Sequence, residues 1–403
     1  MLTSLALIFL VGLSMAAICQ KCRLPRIVGM LLTGIVLGPY VLDWLAPSIL
    51  SISAELRKMA LIIILLKAGL SLNIADLKKV GRPAVLMSCL PASFEILGYF
   101  LFAPYLLGIT RIDAAVMGAV LGAVSPAIVV PRMVQLMEQK YGTEKSIPQL
   151  ILAGASCDDI FVIVLFTTFA NMAQGGRANA MDFINIPVSI VLGVLLGALA
   201  GFVLALFFET AYAHKNCVRN STKVVIVLGV SFLLIAIEEW CKNIVSVSGL
   251  LAVVSMACVL KLKSTEFVSK RLSEKFGKLW IAAEVILFVL VGAAVDIRYT
   301  LSAGGAAVAM IFIALAFRSV GVLCCLIGTK LSGKERLFCV LAYLPKATVQ
   351  AAIGSVPMAM GLSCGKIVLS VAVLAILITA PLGALGMDAS YKKLLVKENK
   401  ECL

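Results

Sequence analysis

Long apolar runs alternate with short basic loops along the whole 403-residue sequence, and that alternation constrains the fold more than any other feature. Wound as helices, runs of this length suit a crossing of the ~30 Å hydrocarbon core of a bilayer, the run at 58–73 being the shortest. Thirteen runs are read, at 2–19, 25–42, 58–73, 83–108, 113–137, 147–173, 184–208, 223–240, 243–260, 279–296, 301–327, 336–361 and 366–386. Of the residues, 62% are hydrophobic and 14% charged, where a soluble protein carries about 25% charged. The expected class is an all-α polytopic membrane protein of thirteen transmembrane helices, a single transmembrane domain over 1–403.

Charge placement orients the chain. Loops after odd-numbered runs, with the C-terminal tail, hold most of the lysines and arginines, and loops after even-numbered runs hold few. By the positive-inside rule the N-terminus lies outside and the C-terminus in the cytoplasm. Those loops account for the net charge of +14, so the expected partner is membrane lipid and not nucleic acid. Most of the twelve cysteines sit singly inside runs, as at Cys89, Cys157, Cys258 and Cys339, and read as small hydrophobes. The first run has no basic residue ahead of it and reads as a retained helix, not a signal peptide. The short stretch after Gly386 has no GxGxxG, so no soluble regulatory domain is expected, and the short loops suit a plasma (inner) membrane.

A faint internal repeat runs through the chain. ILLKAGLSLNIADL (64–77) and LFVLVGAAVDIRYT (287–300) align Gly69 with Gly292 and Asn73 with Asp296. The same offset pairs Glu95 with Arg318, and a seven-run offset also relates Gly29 to Gly249. An odd offset inverts the second copy, giving a 6+1+6 inverted repeat of the kind found in secondary transporters. Pro126 and Pro131 interrupt one run, and Pro345 and Pro357 interrupt its mate. Matched broken helices point to a transport site, because non-helical backbone at membrane depth is tolerated where it lines a cavity.

Ionisable residues inside runs are costly and need a partner or a task. Six stand out: Lys67, Glu95, Asp158, Asp159, Arg318 and Lys346, whose formal charges sum to zero. Asp158 and Asp159 are neighbours in one run, so their side chains point about 100° apart. One can face an ion path while the other takes a buried cation. Glu95 and Arg318 read as a buried ion pair. Lys346 reads as compensating a half-helix end, pairing with Asp158, or both. Glu238 and Glu239, at an extracellular run end, read as solvated, and His214 is the only histidine, in a loop.

SPAIVVP (125–131), ASCDDI (155–160) and LPKATVQAAIG (344–354) resemble the cation:proton antiporter superfamily, as do PRIVGMLLTGIVLGP (25–39) and KAGLSLNIADLKKVGRP (67–83). The closest likeness is to sodium/proton antiporters of the NHA branch, with a NapA-like architecture. The resemblance implies a homodimer whose two broken helices cross near the membrane centre. It implies core helices at about 58–173 and 279–386, moving elevator-like against scaffold and dimerisation helices at about 1–45 and 184–260. Asp159 matches the superfamily's cation and proton carrier, Asp158 the added aspartate of electrogenic members, and Arg318 the place of a lysine in some bacterial relatives. Arginine stays charged where lysine can release a proton, so Lys346 or the two aspartates alone would supply any further carrier.

The expected activity is exchange of Na⁺ or Li⁺ for H⁺, with the ion at Asp158 and Asp159, helped by Ser125 or carbonyls at the break, and with no cofactor. The alternatives are K⁺/H⁺ exchange or K⁺ efflux. An intramembrane aspartate enzyme is disfavoured, since adjacent carboxylates on one helix face apart.

Overall fold

A computed structural model describes residues 1–22, 24–71, 81–175, 180–213, 219–241, 247–296 and 304–397. Here the apolar runs are wound as α-helices: α1 (Leu2–Lys21), α2 (Arg26–Leu37), α3 (Pro47–Ser51), α4 (Ser53–Ser71), α5 (Arg82–Met87), α6 (Leu90–Leu107), α7 (Arg111–Leu121), α8 (Pro126–Glu138) and α9 (Ile147–Gly175). Next come α10 (Ala180–Ala213), α11 (Asn220–Cys241), α12 (Gly249–Lys263), α13 (Glu266–Ala293), α14 (Gly304–Cys325), α15 (Gly333–Ala342), α16 (Thr348–Ile353), α17 (Val356–Ala359) and α18 (Gly365–Leu394). Nine helical stretches among the described residues are long and apolar enough to cross a membrane. The chain is an all-helical polytopic membrane protein. Asn73 and His214 lie outside the described residues.

The described chain forms two compact units, one of Met1–Ala54, Asn73–Ala173 and Leu287–Leu403, the other of Glu55–Leu72 and Gln174–Ile286. In the second, Gly193, Gly197 and Gly201 line one face of α10 against Ser248, Ala252 and Met256. A methyl group at Gly193 would sit 2.7 Å from the Ser248 carbonyl oxygen, so only glycine lets these backbones approach so closely. Lys67 belongs to this unit, with its ammonium 6.0 Å from the Trp280 ring and in electrostatic reach of Glu284. Glu238 accepts from the Gly249 N–H at 3.0 Å and so caps α12. Glu239 meets Lys58 at 2.9 Å in an exposed pair, whose contribution is small.

The first unit holds both broken helices. α7 stops at Leu121, four residues are non-helical, and α8 begins at Pro126. Proline has no N–H to give and suits the first helical position, while it forces the preceding residue out of the helical region. Ser125 accordingly has φ −88° and ψ 109°. The second break runs from Tyr343 to Ala347, between α15 and α16, with Pro345 at its centre. The Ser125 N–H donates to the Pro345 carbonyl at 2.8 Å, joining the two breaks directly. Pro131 is not a break: it lies inside α8, where a proline removes one hydrogen bond without ending the helix. Pro357 opens the short α17, beyond the central interruption. A further interruption, at Ser88–Cys89 between α5 and α6, has Pro91 in the following first turn.

Glycines also bring α6, α7 and α14 together. A methyl at Gly118 would lie 2.9 Å from Ile96 Cα, and one at Gly321 2.9 Å from Pro91 Cα. At Gly154 of α9 it would collide with the Tyr343 hydroxyl and stand 2.9 Å from Met87 Cβ. Tyr343 is fully buried and cannot swing aside. Gly154→Ala is therefore expected to destabilise the protein by about 1–3 kcal/mol, read as a lower thermal midpoint in detergent.

Candidate functional site

Five buried ionisable side chains of the first unit come from four places: Glu95 from α6, Asp158 and Asp159 from α9, Arg318 from α14, and Lys346 from the second break. Arg318 holds the arrangement together. Its Nη1 donates to Glu95 Oε2 at 2.8 Å, and its Nη2 to Asp158 Oδ2 at 3.0 Å. Its Nε donates to the Tyr343 carbonyl at 2.6 Å, and Nη1 also donates to the Gly122 carbonyl. Those carbonyls lie just past the C-terminal ends of α15 and α7, where unpaired acceptors and negative dipole ends need a cation. One guanidinium thus neutralises two half-helix ends and binds two carboxylates, a task that requires its fixed fork of donors.

Lys346 is placed differently from the expectation. Its ammonium meets Glu95 Oε2 at 2.5 Å, not Asp158, and its backbone N–H donates to Thr379 Oγ1 at 2.9 Å. The dipole-compensating role foreseen for Lys346 falls to Arg318. The Glu95–Arg318 pair is present as expected.

The two aspartates have distinct surroundings. Asp158 Oδ2 takes the Arg318 guanidinium and, at 2.8 Å, the Val124 N–H of the first break. Its other oxygen is buried without a hydrogen-bond partner, as is Asp159 Oδ1. No ion pair joins Asp159 to a cation among the described residues. Lys67 belongs to the other unit, so within this unit the cluster holds three carboxylates against two cations, one negative charge in excess. Two hydroxyls at the breaks are also buried without partners, Ser125 Oγ within the first and Thr348 Oγ1 at the start of α16, next to the second. Carboxylate and hydroxyl oxygens are hard donors, suited to a small hard cation or, at the carboxylate, to a proton.

Three participants escaped the sequence reading. Tyr343 enters through its carbonyl, Thr379 through its hydroxyl, and Gln350 through a side-chain amide that touches both breaks. Only Gln350 had a visible signal, an amide in an otherwise apolar stretch.

Residues 5–387 match the family model described as "Sodium/hydrogen exchanger, transmembrane". The chain belongs to the sodium/hydrogen exchanger family. The exchanger is 36% identical over 402 residues to sodium/hydrogen exchanger 9B2 of Homo sapiens, covering 94% of this chain and 72% of that one. It is 32% identical over 393 residues to human sodium/hydrogen exchanger 9B1, covering 93% and 73%. Its fold is similar to that of the sodium proton antiporter MjNhaP1 from Methanocaldococcus jannaschii, with a TM-score of 0.82 at 22% identity over 98% of both chains. The function class of this exchanger is Na⁺/H⁺ antiport across a membrane.

Proposed function

We propose that this exchanger carries Na⁺ or Li⁺ against H⁺ through a single site at Asp159, with Asp158 and Ser125 as further oxygen ligands. The observation that carries this reading is the uncompensated Asp159 carboxylate beside a hydrogen-bonded ion cluster. With Asp159 deprotonated and empty, the site holds excess negative charge, and moving it through hydrocarbon costs about 3 kcal/mol even on the lenient insertion scale. Bound Na⁺ or bound protons reduce that charge, so the loaded states cross more readily than the empty one. Competition for one carboxylate then enforces exchange.

The wider frame is part of the same proposal. The chain crosses the membrane thirteen times as an inverted repeat, belongs to the NHA branch, and sits in the plasma membrane with its N-terminus outside. A homodimer holds scaffold helices still while core helices move elevator-like. The equal spacing of Glu95 from Arg318 and of Ser125 from Thr348 supports the repeat. Exchange is electrogenic, with Lys346 as second proton carrier: it releases its proton as Na⁺ binds, so the two-proton site is neutral and the Na⁺-loaded site carries one negative charge. Arg318, bound by four acceptors, is always charged, whereas an ammonium can give up its proton.

Proteoliposomes with a clamped potential and an internal pH dye test this reading. Na⁺ and Li⁺ are expected to drive proton movement that a potential accelerates, and K⁺ is not. Lys346→Gln is expected to retain exchange with its voltage response lost. Movement driven by K⁺ alone, or none in the wild type, would overturn the assignment.

A further inference from the structure

The two breaks are capped in matching ways by unlike groups. At the first, the Val124 N–H is held by the Asp158 carboxylate at 2.8 Å. At the second, the Ala347 N–H is held by the Gln350 side-chain carbonyl at 2.8 Å. Val124 and Ala347 are 223 residues apart, the separation of Glu95 from Arg318. Equivalent half-helix starts thus receive a charged acceptor in one case and a neutral one in the other.

Gln350 does more than cap. Its amide nitrogen reaches back to the first break, donating to the Ala123 carbonyl at 2.8 Å and to the Leu121 carbonyl at 3.4 Å. Gln350 is fully buried, and both ends of its amide are used. Ala123 precedes Val124, so the amide fixes the backbone whose N–H orients Asp158. A buried donor left without its acceptor is costly, which makes this bridge rigid.

We propose that Gln350 is a positioning residue for ion exchange, a neutral amide bridge that sets the first break against the second and thereby aims Asp158. The inference rests on Asp158 and Asp159 being the ion site. Its neutrality matters as much as its reach. A carboxylate here would cap Ala347 equally well but could not donate to Ala123 or Leu121 unless protonated. It would also add a negative charge to a site that already holds Glu95, Asp158 and Asp159 against Arg318 and Lys346.

The test compares Gln350→Leu and Gln350→Glu with wild type in the same proteoliposomes, measuring the apparent KM for Na⁺ and the pH profile. Gln350→Leu keeps the volume and loses the bridge; its KM is expected to rise about tenfold, the equivalent of one hydrogen bond to a charge-bearing network. Gln350→Glu is expected to approach wild-type KM at acid pH, where its protonated carboxyl donates again, and to lose about tenfold at alkaline pH. Acid recovery within one preparation shows that the protein is folded. If Gln350→Glu does not fold, the KM of Gln350→Leu decides alone. Unchanged KM and pH profile, or a uniform fall in maximal rate with KM constant, would overturn the proposal. Absence of exchange in wild type, or exchange that survives Asp159→Asn, would instead overturn the ion-site assignment.

Discussion

Asp159→Asn is expected to reduce Na⁺-driven proton movement by more than about a hundredfold, to the level of empty liposomes, without harming the fold. Asp159 has no ion-pair partner among the described residues, so removing its charge breaks no buried salt bridge. The variant site is neutral when empty. It can cross the membrane with Lys346 protonated, but without the Asp159 carboxylate no Na⁺ binds to displace a proton, and exchange stops for want of a counter-ion. Stability should move in the opposite direction from activity. At alkaline pH, where the wild-type carboxylate is charged and buried, Asp159→Asn should be more stable by about 1–3 kcal/mol. Added Na⁺ should raise the thermal midpoint of wild type by mass action and leave that of the variant unchanged. A variant that lost both activity and stability would assign Asp159 to structure.

Arg318→Met is expected to do the reverse, through the fold. It leaves Asp158 without its cation, Glu95 with Lys346 alone, and the Gly122 and Tyr343 carbonyls without this donor. Breaking a buried ion pair from one side costs about 3–5 kcal/mol, a large part of the stability of any domain. The expected readout is a collapse in monodisperse yield from detergent. Arg318→Lys should recover part of it, because an ammonium on a flexible stem cannot reach four acceptors in the guanidinium geometry. Full stability in Arg318→Lys would mean that the fork geometry is dispensable.

The sequence exposed what depends on length and on charge in the wrong solvent. Long apolar runs become spanning helices because backbone polar groups in hydrocarbon must pair within the helix. A charge inside such a run needs a partner, and for Glu95 that partner was found at Arg318. Prolines marked both breaks through Pro126 and Pro345, yet Pro131 sits inside α8 and Pro357 opens a separate short helix. A proline forbids one hydrogen bond; whether the helix ends there depends on what can take up the freed groups. Which cation serves which anion was also hidden, since Lys346 reaches Glu95 and not Asp158 only because of how the two breaks meet. Gln350 was missed, although an amide at the third position of a helix start can cap the preceding N–H. Its second role, across to Ala123, exists only in three dimensions.

Counting protons released when Na⁺ is added to the detergent-purified protein, in weakly buffered solution across a pH series, tests the shared site most directly. Release should be largest at pH values where Asp159 is protonated, should fall away as the solution becomes alkaline, and should be absent in Asp159→Asn. Na⁺ binding that displaces no proton at any pH, or proton release that persists in Asp159→Asn, would contradict the account.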